Sequence, residues 1–470
     1  MKKPNVLVIV AEDIGVGDYE CYNDKTGIPS PNIAKIAKNG VMFTNAHATA
    51  ALCAPTRYSL LTGNYPRRQQ GGVGGKWGFD VPSAIAPGQQ TIANLLKPCG
   101  YRTAIIGKTG IGGFLYEKTI DGKSDFNRPM LDGPNTWGFD YSLAVPRGHQ
   151  WLPFMFVENG IPTCNPEKLL RGEEAFKMFH EFNCSGGGKS EGMDYADPKF
   201  NPKEIGETLL CGAEKFFDST DNSFPFFMHF CCDGAHFPYH PPDFIRGNKI
   251  KGITGVNLRA DMVHETDVLV GELVAILESR NLLSNTIICV TSDHGAPPRN
   301  GDANGNLRGG KNNIFEGGTR VPFIISYPNK IAKNVIKDEL VCAMDIVPTI
   351  LDLAGANIPQ NQCLDAKSLT PLLSSINDGL IRKTLRIDDA TVIEKPETNI
   401  KGDAVYDKYW KLVFRLNLPV QLYNLNHDPS ERINLINDPL QKGRVALMTI
   451  LREKLMSSPT QDWIQRNQSI

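Results

Sequence analysis

No stretch of this sequence is apolar for long. The longest runs, Val6 to Ala11 and Phe226 to Cys232, fall far short of the ~20 residues that a membrane-spanning helix needs. Neither sign of charge is in excess: 50 Lys and Arg face 51 Asp and Glu, for a formal net charge of −1. That balance excludes a protein whose main task is coating nucleic acid or an anionic membrane. There is no CxxC pair to hold structural zinc, and no internal repeat at a fixed period. Hydrophobic residues make up 41% and charged residues 21%, which excludes disorder over most of the chain and suits a large buried core. The Lys2-Lys3 start and the apolar stretch behind it are cut off by Glu12 and Asp13, with no small-residue cleavage site following. A buried strand therefore explains this segment better than a signal peptide. The expectation is a cytoplasmic protein, or a periplasmic or secreted one if a preceding leader has been removed.

At 470 residues the chain has room for roughly two or three domains. Its eleven cysteines are an odd count, so at least one stands outside any complete disulfide pairing. Cys231 and Cys232, adjacent within an apolar strand pattern, suit free core thiols.

Through the first 378 residues short apolar runs alternate with helical patterns, which predicts α/β architecture: a mainly parallel sheet flanked by helices. NVLVIVA, VMFTNA, TAIIG, PFFMHFCC, NTIICVTSD and RVPFIISYP read as strands. SPNIAKIAKNG, PTRYSLLTG, TIANLLKPCG, the long amphipathic DMVHETDVLVGELVAILESRN and the stretch around IVPTILDLAG read as helices. In the first helix Ser30 is the expected N-cap, Pro31 the first helical position and Gly40 the stop. Two segments rich in Gly, Asn, Asp and Pro, NCSGGGKSEGMDYADPKFN and HGAPPRNGDANGNLRGGKNN, read as loops at strand ends, where α/β proteins place their sites. Residues 379–470 change texture. DAVYDKYWKLVFRL and PVQLYNL suggest antiparallel strands, and PLQKGRVALMTILREKLMSS a closing helix. This is a smaller C-terminal α+β subdomain.

Four clusters at expected strand ends carry chemistry. Glu12-Asp13 follows the first strand, and two adjacent carboxylates repel each other unless a cation sits between them. Ser292-Asp293-His294-Gly295 ends a later strand and can share a divalent cation with that pair if the strands are neighbours. Hard oxygen donors favour calcium or magnesium over zinc. Apart, the two clusters read equally well as an acidic turn and a helix cap. In the third, Leu52-Cys53-Ala54-Pro55-Thr56-Arg57, Pro55 can start a helix, placing Cys53 at an anion-favouring N-terminus with Arg57 one turn on; a buried structural thiol is the plainer reading. The fourth supplies cations and a proton carrier: Lys108, His236 and Lys311. A metal with Arg57, Lys108 and Lys311 makes an anion trap suited to a sulfate or phosphate ester.

In these residues the chain resembles the formylglycine-dependent sulfatases of the alkaline phosphatase superfamily. The resemblance runs through Ala11-Glu12-Asp13-Ile14-Gly15 with Gly17-Asp18, and Cys53-Ala54-Pro55-Thr56-Arg57 with Leu61-Thr62-Gly63. Gly107-Lys108, Gly138-Phe139-Asp140 and Ser292-Asp293-His294-Gly295 continue it, as do Lys311 with Glu316-Gly317-Gly318-Thr319-Arg320-Val321-Pro322 and Leu422-Tyr423-Asn424-Leu425. It spans nearly the whole chain and implies an alkaline-phosphatase-like fold and a sulfatase activity. It implies that Cys53 is converted to formylglycine by a separate generating enzyme, and that one hydroxyl of the hydrated aldehyde attacks sulfur. By the same match Glu12, Asp13, Asp293 and His294 hold the metal, calcium first and magnesium second. Arg57, Lys108 and Lys311 bind the sulfate, and His236 protonates the leaving alcohol.

Two departures stand out. Gly110 occupies the place, two residues beyond the GK lysine, where the family usually has the histidine of the elimination step; either another group such as His149 or an aspartate acts as the base, or turnover is slowed at that step. Glu12 stands where the family more often has Asp. His149 and Gln150, beside Trp151, lie where relatives contact substrate, ordinary loop packing being the equal alternative, and a sulfated carbohydrate is the expected partner. The rival readings are a phosphodiesterase or phosphonate monoester hydrolase of the same superfamily, and a catalytically impaired protein that binds sulfated glycans.

Overall fold

The computed structural model describes all residues except 1, 70–77, 129, 185–193, 222, 299–300, 329, 375–383, 389–401 and 458–470. Strand β1 (Asn5–Ala11) forms where the first apolar run lies, and every one of its residues is buried. Such a strand needs cover on both faces, and it has it. Val6, Val8 and Val10 join a core with Ala54, Tyr58 and Leu61 of the Cys53–Thr62 helix. Leu7, Ile9 and Ala11 point the other way, into a core with Leu209 and Ala213 of the Ile205–Asp218 helix and Leu269 and Leu273 of the Leu258–Ser279 helix.

Around β1 lies a ten-stranded sheet. Its principal members are β2 (Gly40–Phe43), β3 (Arg102–Lys108), β4 (Tyr141–Val145), β5 (Phe226–Cys231), β6 (Thr286–Ser292), β7 (Phe323–Ser326) and β8 (Val335–Lys337). They run in the order β8-β2-β7-β6-β1-β5-β3-β4, continued by the short strands Val157–Glu158 and Ile161–Pro162. From β6 to β4 the pairings are all parallel, with Ala11 opposite Ser292 and Val10 opposite Cys231. Register thereby brings the C-terminal ends of β6, β1, β5 and β3 to one edge. At the far side β7 turns antiparallel to both β6 and β2.

Two local expectations fail. Gly40 does not stop the first helix but opens β2; the helix ends at Lys38, and Asn39 caps it. A side chain at 40 would meet the Ile325 carbonyl of the neighbouring strand at 2.1 Å, so the glycine is required by strand approach rather than by a helix end. Ser30 makes no capping bond to the helix, because its Oγ accepts from the Glu20 amide at 2.9 Å. The Leu258–Ser279 helix is also buried more widely than a one-sided amphipathic helix, since it packs against both the Pro31–Lys38 and Ile205–Asp218 helices.

Residues Thr384–Asp388, Gly402–Asp407, Trp410–Arg415 and Leu418–Asn424 make a four-stranded antiparallel sheet, followed by the Lys442–Ser457 helix. This C-terminal sheet shares the main core through Leu385, Ala404, Tyr406, Val413 and Tyr423. The expected boundary at 378/379 and the glycine-rich centre of the first loop, residues 185–193, lie outside the described residues. All eleven cysteines are free thiols, Cys231 and Cys232 among the buried ones. Among the described residues no helix is long and apolar enough to cross a membrane.

Candidate active site

Each cluster singled out in the sequence sits at the sheet edge that register creates. Glu12 and Asp13 follow β1, Asp293 and His294 follow β6, Lys108 ends β3, and His236 lies beyond β5. The Cys53–Thr62 helix begins at Cys53 itself, so Pro55 is its third residue. Its N-terminal end aims Cys53 and, one turn on, Arg57 at these strand ends, where free N–H groups favour anions.

Glu12 is the hinge of the charge pattern. Fully buried, it receives Arg57 on Oε2 and Lys108 Nζ at 2.5 Å on Oε1, and Cys53 Sγ lies 3.3 Å from Oε1. One carboxylate thus contacts all three groups. Burial works against its charge, but Lys108 and Arg57 outweigh it and hold the carboxyl well below the usual range. Arg57 also donates to the Lys108 carbonyl at 2.9 Å, which ties helix to strand. Lys311 Nζ lies on both oxygens of Asp13, at 2.8 and 2.9 Å. Against the effect of burial, Lys311 and His236 take Asp13 down to about 2.

Three carboxylates, Glu12, Asp13 and Asp293, thus face three cations, Arg57, Lys108 and Lys311. The cluster is neutral by itself, and a divalent cation would leave it at +2, a trap for an ester anion. The donors fit such a cation. His294 Nδ1 donates to the Gly295 carbonyl at 2.8 Å, which turns the Nε2 lone pair toward Asp13 Oδ1 at 3.2 Å and Cys53 Sγ at 3.3 Å. Asp293 Oδ2 is buried without a hydrogen bond, with Arg57 Nη2 3.3 Å away. A lone pair facing a carboxylate, beside an unsatisfied carboxylate oxygen, is what a bound cation resolves.

His236 stands at the entrance, 17% exposed, with Nε2 3.9 Å from Asp13 Oδ2 and Nδ1 2.5 Å from the Phe237 carbonyl. Burial and Lys311 push its imidazole down to about 3. Cys53 carries its proton as a cysteine, since burial and then Glu12 push the thiol up.

Gly110 has φ +61, and a side chain there would face Arg57 Cδ at 3.4 Å and Lys108 Cε at 3.6 Å. The glycine leaves that position beside Arg57 and Lys108 without a side chain, and Arg57 Nε is buried without a hydrogen-bond partner. His149 does not replace the missing imidazole. Its Nδ1 contacts Asp233 Oδ2 at 2.6 Å and its Nε2 the Pro238 carbonyl at 2.8 Å. Both partners only accept, so both ring nitrogens donate and no lone pair remains to take a proton. Gln150 is 6% exposed, and Trp151 packs on Phe179 under the Arg147 guanidinium.

Residues without a sequence signal also build the site. Arg259, a lone arginine on a helix, pairs with Asp18 at 2.7 and 2.8 Å and donates to the Asp13 carbonyl at 2.8 Å. It thereby holds Asp13 in its left-handed backbone conformation, φ 55. Only the Gly17-Asp18 motif hinted at this support. Asp233, which fixes His149, had none.

The chain is similar to known proteins along most of its length. A family model described as Sulfatase matches residues 4–356, and one described as N-sulphoglucosamine sulphohydrolase, C-terminal, matches residues 310–461. The chain is 30% identical to an N-acetylgalactosamine-6-O-sulfatase of Bacteroides thetaiotaomicron, over 92% of this chain and 90% of the relative. It is 29% identical to arylsulfatase A of Bos taurus, over 97% and 88%. A solved structure from work on glycosaminoglycan metabolism by Bacteroides thetaiotaomicron superposes with a TM-score of 0.80 at 26% identity, covering 97% of this chain and 99% of the other.

Proposed function

The chain belongs to the sulfatase family, and from that premise we propose that it hydrolyses the sulfate monoester of a carbohydrate at the cluster around Cys53. The observation that carries this reading is the placement of Cys53 at a helix N-terminus, 3.3 Å from both Glu12 and His294, among Arg57, Lys108 and Lys311. Similarity over 92% of the chain to an N-acetylgalactosamine-6-O-sulfatase supports a sugar as the alcohol.

Oxidised to formylglycine by a separate maturation enzyme, Cys53 supplies a hydrated aldehyde whose hydroxyl attacks sulfur. A bound divalent cation, calcium in this proposal, supplies Lewis-acid charge beside that hydroxyl; Asp13, Asp293 and His294 would hold it, with Glu12 completing the set. The rest follows from side chains. Arg57, Lys108 and Lys311 bind and orient the sulfate oxygens, and they stabilise the charge that grows as the S–O bond breaks. Glu12 fixes Arg57 and Lys108 by a shared carboxylate, so both cations are in place before substrate arrives. His236 is the proton donor to the leaving alcohol in this scheme; because Nδ1 already donates to the Phe237 carbonyl and burial with Lys311 keeps the free ring neutral, it takes up the proton at Nε2 before passing it on. Catalysis belongs to residues 1–378 in this scheme, with 379–470 supporting them.

The defining test is a desulfation screen over defined sulfated mono- and oligosaccharides, run beside phosphate and phosphonate monoesters. Release of sulfate from at least one sugar, at a rate above that of every phosphorus ester, is the expected result. Preference for a phosphonate monoester would overturn the proposal. Dialysis against a chelator is expected to lower kcat by on the order of 100-fold, with calcium restoring it better than magnesium. Unchanged activity in metal-free buffer would exclude Glu12, Asp13, Asp293 and His294 as a metal shell.

A further inference from the structure

The loop that carries His236 is held in an unusual way. All three carbonyls of residues 236–238 lie against imidazole nitrogens: Phe237 O against His236 Nδ1 at 2.5 Å, and His236 O and Pro238 O against His149 Nε2 at 3.1 and 2.8 Å. His149 is anchored in turn by Asp233, whose Oδ2 accepts from its Nδ1 at 2.6 Å and from its backbone amide at 2.9 Å. Asp233 is only three residues ahead of His236, so the chain closes on itself through the His149 ring. The ring is 2% exposed, which leaves no room for a substrate hydroxyl to reach it.

We propose that Asp233 and His149 are positioning residues for the proton donor His236, setting its ring on the leaving-group side of the ester. This rests on the sulfatase reading and deepens it. With acceptors on both nitrogens, His149 is an imidazolium paired with the Asp233 carboxylate. Burial works against that charge, but Asp233 outweighs it and raises the imidazole. The neighbouring Glu265 adds no competing charge at neutral pH, because burial takes its carboxyl up to about 8. Gly148 completes the fit: a side chain there would meet Asp233 Oδ1 and Gln150 Oε1 at 2.4 Å and Lys108 Cδ at 3.1 Å. The stem of Lys108 thus abuts the same turn, giving the sulfate-binding lysine and the proton donor a common reference.

A proton donor matters in proportion to how poor the leaving alcohol is. We would therefore measure kcat for His149→Ala, His149→Gln and Asp233→Asn on 4-nitrophenyl sulfate, on aryl sulfates of less acidic phenols, and on N-acetylgalactosamine 6-sulfate. His236→Ala and wild type run alongside. For His149→Ala we expect a loss of about 30-fold on the poorest leaving groups and less than about 3-fold on the nitrophenyl ester, with KM little changed. The same slope is expected for His236→Ala, with no added slope in the double variant. His149→Gln, which keeps a donor for the loop carbonyls, should recover part of the loss. Equal losses on every ester, or none, would refute the positioning role. If His149→Ala fails to fold, Asp233→Asn decides by the same slope. A wild-type protein that hydrolyses no sulfate ester sinks the sulfatase reading and this one together, whereas a flat series for His236→Ala alone removes the proton-donor assignment on which it depends.

Discussion

Cys53→Ala is expected to reduce sulfate-ester turnover by on the order of 10^5-fold, since losing the nucleophile removes the covalent route altogether. The fold should survive. The side chain sits at the first turn of its helix, and the core beneath it is made by Ala54, Tyr58, Leu60 and Leu61 rather than by the thiol. Circular dichroism and melting temperature should match the parent. A complementary signature lies in the mass. Conversion of the thiol side chain to an aldehyde exchanges sulfur and two hydrogens for one oxygen, a loss of about 18 Da at Cys53 in protein made together with a formylglycine-generating enzyme. Burial and Glu12 keep the unmodified thiol protonated, so the cysteine form is a poor nucleophile. A fully active protein that retains the thiol mass, or wild-type rates in Cys53→Ala, would remove the mechanism.

Lys411→Met should be strongly destabilising although Lys411 lies outside the Cys53 cluster. Lys411 is fully buried. Its Nζ pairs with Glu431 Oε1 at 2.8 Å and Glu316 Oε1 at 3.2 Å, and donates to the Ile314 carbonyl at 2.7 Å. Glu316 also accepts from Tyr406, His47 and Arg320, while its amide donates to Glu431 at 2.6 Å. This network joins the C-terminal sheet to the segment that carries Lys311. Removing the ammonium strands the buried Glu431 carboxylate and leaves Glu316 with Arg320 as its paired cation, a loss on the order of 3–5 kcal/mol. The sign of its pH dependence is determined. In the parent, burial opposes the Glu316 charge, but Arg320 and Lys411 outweigh it and depress its pKa, so its stabilisation is present above the unfolded carboxyl pKa and fades as pH falls through the lower folded value. In the variant, protonation relieves the stranded Glu431, whose carboxyl burial already raises, so the deficit should be larger at pH 8 than at pH 5. Urea denaturation at both values measures it. A loss below about 0.5 kcal/mol would show that the network does not clamp the two parts together.

Much of the strand inventory was legible, because a strand buried on both faces must be largely apolar, and NVLVIVA, PFFMHFCC and NTIICVTSD are centred on such runs. Gly40 and Ser30 were misread for one reason: each looks like punctuation of a helix, yet each answers to a partner elsewhere, Ile325 and Glu20. The carboxylates, the cysteine and the GK lysine were legible as motifs because their chemistry is crowded into short segments. Arg259, Asp233, Lys411 and Glu431 were not. Each is a single charged residue with an ordinary neighbourhood in sequence.

From sequence alone came the local matters: which segments are buried strands, where a helix can start, and which side chains have the right donors for an anion and a cation. Tertiary structure decided who meets whom. Register between parallel strands sets Glu12 and Asp13 beside Asp293 and His294, residues 280 or more apart in sequence. Burial then decides their charge. Glu12 stays ionised because Lys108 and Arg57 share its oxygens, and His149 loses any role as a base because Asp233 and two carbonyls claim its nitrogens. Local chemistry limits what a residue can do; only the dielectric and the partners that folding supplies settle what it does.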